Sequence, residues 1–277
     1  MKSFASPVLA ESSPEAELGN QAAFGGLEAP QPQDLKPFDQ GPGALECLPL
    51  LRACVAALRR YPGTGEGYLA PVDALSPAAA KYLDETLGEG EVSLEVGGRH
   101  RCEAKETVLP GLWRVTTKDG AQVVSRHLEV GDVPSVVRAA EATATTTDIH
   151  IGNPPPGAMN ALPVLAELRH RSQTWQPGQP NHVLSFTLLP MNEVDMAYLE
   201  QQVGHGPVRG QSKGFSTCKV ELTAVRHVWA VQHFNAVDRL VLDTLEVGDV
   251  PAALMAAGHD FEDSADRLAE WLEHAPT

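Results

Sequence analysis

The chain has 277 residues and a net charge of −15, with −4 over residues 1–43 and −5 over residues 260–277. That balance argues against a nucleic-acid partner, which calls for a basic face, and no run approaches the roughly 20 apolar residues of a membrane span. Cys47, Cys54, Cys102 and Cys218 stand apart with no CxxC and no secretory leader, so they read as reduced thiols of a cytoplasmic protein.

Residues 1–40 read as a flexible acidic tail. Pro7, Pro14, Pro30, Pro32 and Pro37 block continuous helix or central strand, and Phe4, Phe24 and Phe38 are isolated apolar residues in it. Leu48, Leu51, Val55 and Leu58 then recur at helical spacing and predict a helix over Leu45–Tyr61, with Pro49 in its first turn. Ser76 and Pro77 open a second helix as N-cap and first residue; Leu83 and Leu87 share its face and Gly88 closes it. A meander of strands follows over Glu91–Val96, Arg101–Val108, Leu112–Thr117 and Gln122–Val130, with Asp119-Gly120 as the last hairpin turn.

The heptapeptide Leu128-Glu129-Val130-Gly131-Asp132-Val133-Pro134 recurs unchanged at Leu245–Pro251. Around it Trp113 matches Trp229, Thr107 matches Thr223, Cys102 matches Cys218, Tyr82-Leu83 matches Tyr198-Leu199, and Gly43-Ala44 matches Gly157-Ala158, the offset drifting from 114 to 116 to 117 along the chain. Two copies of this size mean two similar units rather than a solenoid. Each heptapeptide reads as a strand-to-helix corner: Asp132 and Asp249 cap short helices over Val136–Glu141 and Ala252–Ala257. Residues 142–156, ending in three prolines, form a linker. The second unit repeats the pattern with a helix over Leu162–Arg171 and one capped by Asn192, with Asp195 in its first turn. Strands follow over Val208–Gln211, Cys218–Ala224, Val228–Phe234 and Arg239–Val247. A terminal helix carries Phe261, Ala265, Leu268 and Leu272 as its apolar stripe, expected to pack on the second unit.

The fold class is therefore α+β: two duplicated units, each with helices on an antiparallel meander, related by pseudo-two-fold symmetry. Their bounds are 41–141 and 157–277.

No catalytic set emerges. GxSxG, HExxH and P-loop patterns are missing. The pairs His100/Cys102 and His227/Trp229 lack the further ligands of a metal site. The four cysteines read as core residues; an iron–sulfur carrier or thiol redox protein using them is the alternative. The strand Arg226–Asn235 is rich in Arg, His and aromatic groups, so Arg226, His227 and Phe234 are candidate partner-binding residues. Glu129, Asp132, Glu246 and Asp249 form a candidate acidic partner-facing set, weighed against their role in the corners.

Five stretches together resemble the HupH/HyaF/HoxQ family of hydrogenase expression/formation proteins. They are Leu87–Ser93, Gly111–Val115, Arg226–Trp229, Leu245–Val247 and Phe261–Glu270. The similarity runs from about Gly41 to the C terminus. It implies an accessory chaperone of [NiFe]-hydrogenase maturation, with no cofactor and no reaction of its own. The chaperone would hold the iron–sulfur small-subunit precursor before twin-arginine export and work beside a thioredoxin-like accessory protein.

Overall fold

The computed structural model describes residues 34–214 and 216–276; Phe4, Phe24 and most of the expected tail lie outside them. In chain order the elements are α1 (Ala44–Thr64), β1 (Tyr68–Pro71), α2 (Pro77–Leu87), β2 (Val92–Val96), β3 (Arg101–Glu106), β4 (Leu112–Asp119), β5 (Gln122–Val130) and α3 (Ser135–Ala144). Then come α4 (Ala161–Thr174), β6 (His182–Ser185), α5 (Glu193–Val203), β7 (Val208–Lys213), β8 (Thr217–Leu222), β9 (Val228–Phe234), β10 (Leu240–Val247), a 3-10 turn (Ala252–Leu254) and α6 (Asp260–Glu273).

The strands form one antiparallel sheet of 10, ordered β1-β5-β4-β3-β2-β7-β8-β9-β10-β6. At its centre β2 runs against β7, with Leu94 opposite Gly210. Strand alternation assigns the faces. Trp113 and Trp229, both fully buried, share one face with Leu94, Val208, Val220 and Val137 of α3. On the other face Leu112 and Leu128 meet α1, α2 and α6, while Ala230 and Leu245 meet α4 and α5. The middle of that second face is an open groove of about 710 Å³, floored by Ser93, Glu95, Lys105, Arg209 and Gln211.

The expected helix caps form. Ser76 Oγ accepts from Ala79 N at 3.2 Å, Asn192 Oδ1 accepts from Asp195 N at 2.9 Å, and Gly88 and Gly204 close α2 and α5 with φ of 55° and 62°. Other expectations change. The helix α1 starts at Ala44 and runs through Pro49 and Pro62, so Pro49 lies beyond the first turn. Gly43 sets that start: at φ 88° it lies so near α2 that a Cβ would meet Ala79 N at 2.3 Å. Near the end of α1, Arg59 pairs with Asp266 of α6 at 3.1 Å.

The helix expected over Ala252–Ala257 is only a 3-10 turn. Met255 turns extended, with ψ 139°, and Ala256 N donates to Asp132 O at 2.9 Å, which draws the chain back to the first corner. From there α6 packs on α1 in the first half, not on the second unit as the sequence suggested. Phe261 stacks on Tyr61 with centroids 4.6 Å apart. Residues 34–40, expected to be loose tail, dock on this helix: Phe38 meets Trp271 edge-on at 5.2 Å, and Trp271 Nε1 donates to Lys36 O at 2.7 Å.

Candidate partner-binding site

The helix α3 begins at the first heptapeptide corner and crosses the Trp113/Trp229 face of the sheet. Val137 points down into the core, while Ser135, Arg138 and Glu141, spaced by one helical turn, line a polar stripe. The stripe engages the candidate residues in order. Glu129, 4% exposed, accepts from Ser135 N at 2.7 Å. It thereby performs the N-terminal cap expected of Asp132. Asp132 instead accepts from Val133 N at 2.8 Å and, through its other oxygen, from Arg138 Nη2 at 2.8 Å. Arg138 Nη1 reaches Asp249 in the second heptapeptide. Burial works against the charge on Arg138, but the two carboxylates outweigh it and raise its pKa. Asn181, just before β6, bonds both main-chain groups of Asp249 at 2.9 Å and Glu246 Oε2 at 3.2 Å.

At its far end α3 meets His227. Glu141 Oε1 accepts from His227 N at 3.0 Å and lies 3.1 Å from its Nδ1. Arg226 closes the same turn by donating to Ala142 O. His227 has φ 65°, a conformation that a side chain other than Gly rarely adopts and that marks functional positions more often than others. The matching residue in the first half is Gly111, at φ 84°. Trp175, from the end of α4, lies against the His227 ring with centroids 4.6 Å apart and an interplanar angle of 44°. Both residues are partly buried, so the pair is only partly accessible to solvent.

Six of the seven candidate residues thus join one network through α3 and Asn181. Phe234 does not; it lies at the other end of β9, under Lys219 Nζ at 4.6 Å. Sequence reasoning missed Arg138, Glu141, Trp175 and Asn181. Glu141 and Trp175 carried no pattern, because both act through contacts that only the fold creates.

The four cysteines are buried and apart. Burial pushes the Cys47 and Cys218 thiols up to about 11 and Cys54 to about 12. Cys47 donates to Ala79 O at 3.3 Å, and no group of three or more metal-ligating side chains occurs among the described residues. No helix among them is long and apolar enough to cross a membrane.

The sheet and its crossing helix define an α+β scaffold whose concentrated polar chemistry lies along one helix and its two corners. The family described as HupH hydrogenase expression protein, C-terminal conserved region, matches residues 70–149 and 158–275, and the chain belongs to it. Hydrogenase expression/formation protein HupH of Rhizobium leguminosarum bv. viciae is 41% identical over 197 residues, covering 70% of this chain and 69% of that one. HupQ of Azotobacter chroococcum mcd 1 is 39% identical, covering 88% and 85%. The hydrogenase-1 operon protein HyaF of Escherichia coli K12 is 31% identical, covering 79% and 78%. A solved HupH from Thiobacillus denitrificans is 32% identical over 36% of this chain and 87% of its own, with a TM-score of 0.33.

Proposed function

We propose that this protein serves hydrogenase maturation by binding rather than by catalysis, as a cytoplasmic chaperone. It holds the iron–sulfur small-subunit precursor before twin-arginine export, beside a thioredoxin-like accessory protein, and its α3 crossing is the gripping surface. The observation that carries this reading is His227. A strained residue is kept at φ 65°, braced by Glu141 and half-covered by Trp175, next to an arginine. Aromatic and arginine groups on a rigid support are what interface centres favour. The same reading takes the scaffold as one unit duplicated about a pseudo-two-fold axis. In support, the strand order reads alike from both edges and the family match falls in two stretches.

A net charge of −15 attracts the basic end of a twin-arginine signal, and salt screens that attraction. The test is a titration with the small-subunit precursor, with and without its signal. Trp175→Ala and His227→Ala are expected to weaken binding by about tenfold or more, and high salt is expected to weaken the signal-bearing form more than the truncated one. Undiminished affinity in both variants, together with no salt effect, sinks the reading.

A further inference from the structure

The last residues of β3 and β8 stand in the same local frame. Gly90 N donates to Glu106 O at 2.8 Å and Gly206 N to Leu222 O at 2.7 Å. Thr107 and Thr223 then close equal turns, through Leu109 O at 3.1 Å and Val225 O at 3.2 Å. Leu222 is what such a buried position calls for, and it joins the core that α3 closes. Glu106, only 5% exposed, takes its place in the first half. Above it, among the described residues, stand the 3-10 turn and Met255-Ala256, which with Ser212, Lys213 and Asp260 bound a cavity of about 440 Å³.

Four carboxylates line this cavity: Glu106 from below, Glu89 and Glu91 just before β2, and Asp260 at the start of α6. The rest of the wall is largely apolar, from Val92, Val108, Pro110, Ala253, Met255 and Ala256. Among the described residues no cationic side chain forms an ion pair with Glu106. Lys213 lines the same cavity, Glu89 is turned to Lys105 at 2.6 Å, and His259 lies 3.4 Å from Asp260.

We propose that this cavity receives a lysine or arginine side chain presented by a partner polypeptide, its alkyl stem against the apolar wall and its charge on Glu106. The site is separate from the α3 surface and does not depend on it. Burying a carboxylate without a counter-ion is costly, and a cation on a partner removes that cost. Burial pushes the Glu106 carboxyl up to about 7; the fields of Asp260 and Glu91 add to this, and the backbone groups of Gly111 and Val92 partly oppose it. An arriving cation favours the carboxylate, so binding near neutral pH expels a proton.

The test is calorimetry on the full chain with n-butylguanidinium, a capped Ala-Arg-Ala peptide, and spermidine, each in two buffers of different ionisation heat. Butylguanidinium and the peptide are expected to bind with Kd on the order of 1 mM. About half a proton is expected to be released per site at pH 7, falling toward zero by about pH 9. Glu106→Leu, which copies Leu222, and Glu106→Gln are each expected to weaken binding about tenfold or more and to abolish the proton release. Near-UV circular dichroism confirms the fold of each variant, and Glu106→Gln keeps the shape of the site if the leucine variant does not fold. The proposal is overturned if neither cation binds wild type at about 10 mM, if both variants bind as wild type does, or if spermidine outcompetes the peptide.

Discussion

Replacing Asp195 with alanine removes one acceptor that serves two helices. Its Oδ1 accepts from Met159, Asn160 and Ala161 N at 2.7, 2.8 and 3.0 Å, which cap α4, and its Oδ2 accepts from Asn192 N at 3.2 Å in the α5 capping box. The side chain is fully buried. Met159 and Asn160 lie near solvent, so water can replace the carboxylate there, whereas Ala161 is buried and loses its partner outright. With the Ala161 amide left unsatisfied at roughly 1–3 kcal/mol and the other three amides exchanging a carboxylate for water, the expected loss is about 2–3 kcal/mol. Asp195→Asn keeps one acceptor oxygen and is expected to lose about half of that. Burial opposes the Asp195 charge, but the backbone N–H groups of Asn160, Asn192, Ala161 and Met159 outweigh it and hold the pKa below the ordinary value. A carboxyl depressed in the folded state stabilises above its unfolded pKa of about 4, and that contribution fades as pH falls through the folded value. Urea unfolding followed by tryptophan fluorescence at pH 7 and again below pH 4 measures both effects. A loss under about 1 kcal/mol at pH 7, or a wild-type advantage that persists undiminished in acid, refutes the shared-cap account.

Asp243 is buried, and burial pushes its carboxyl up to about 7, against the hydrogen bond from Gln232 at 3.3 Å. A carboxyl raised in the folded state binds its proton more tightly there, so its contribution worsens as pH rises from about 4 to 7. Asp243→Asn is therefore expected to stabilise by on the order of 2–4 kcal/mol at pH 8 and far less at pH 5; equal urea midpoint shifts at both values would contradict this. Gly111→Ala sets a Cβ 2.7 Å from Phe261 Cε1 at φ 84°, and Phe261 is held by Tyr61. The expected cost is roughly 2–4 kcal/mol, read from the same unfolding curves. A cost below about 1 kcal/mol would mean that the Phe261 ring swings aside.

The sequence by itself determined the parts whose causes are local. Ser76 and Asn192 caps, glycine ends at Gly88 and Gly204, and the Asp119-Gly120 turn follow from one residue's backbone preference or one short hydrogen bond. The repeated heptapeptide announced its two corners for the same reason. The strands β1 and β6 escaped notice because each has four residues at a sheet edge, too few to show alternation. Tertiary structure alone decided which long-range partners the charges found. Glu129 looked like surface until the α3 crossing supplied Ser135 N, and Asp132 and Asp249, 117 positions apart, meet through Arg138 only because β2 pairs with β7. The docking of α6 on the first half turned on Gly111 leaving room for Phe261, where the matching position carries His227. Such outcomes depend on which surfaces are adjacent in space, and no local pattern of residues encodes that adjacency.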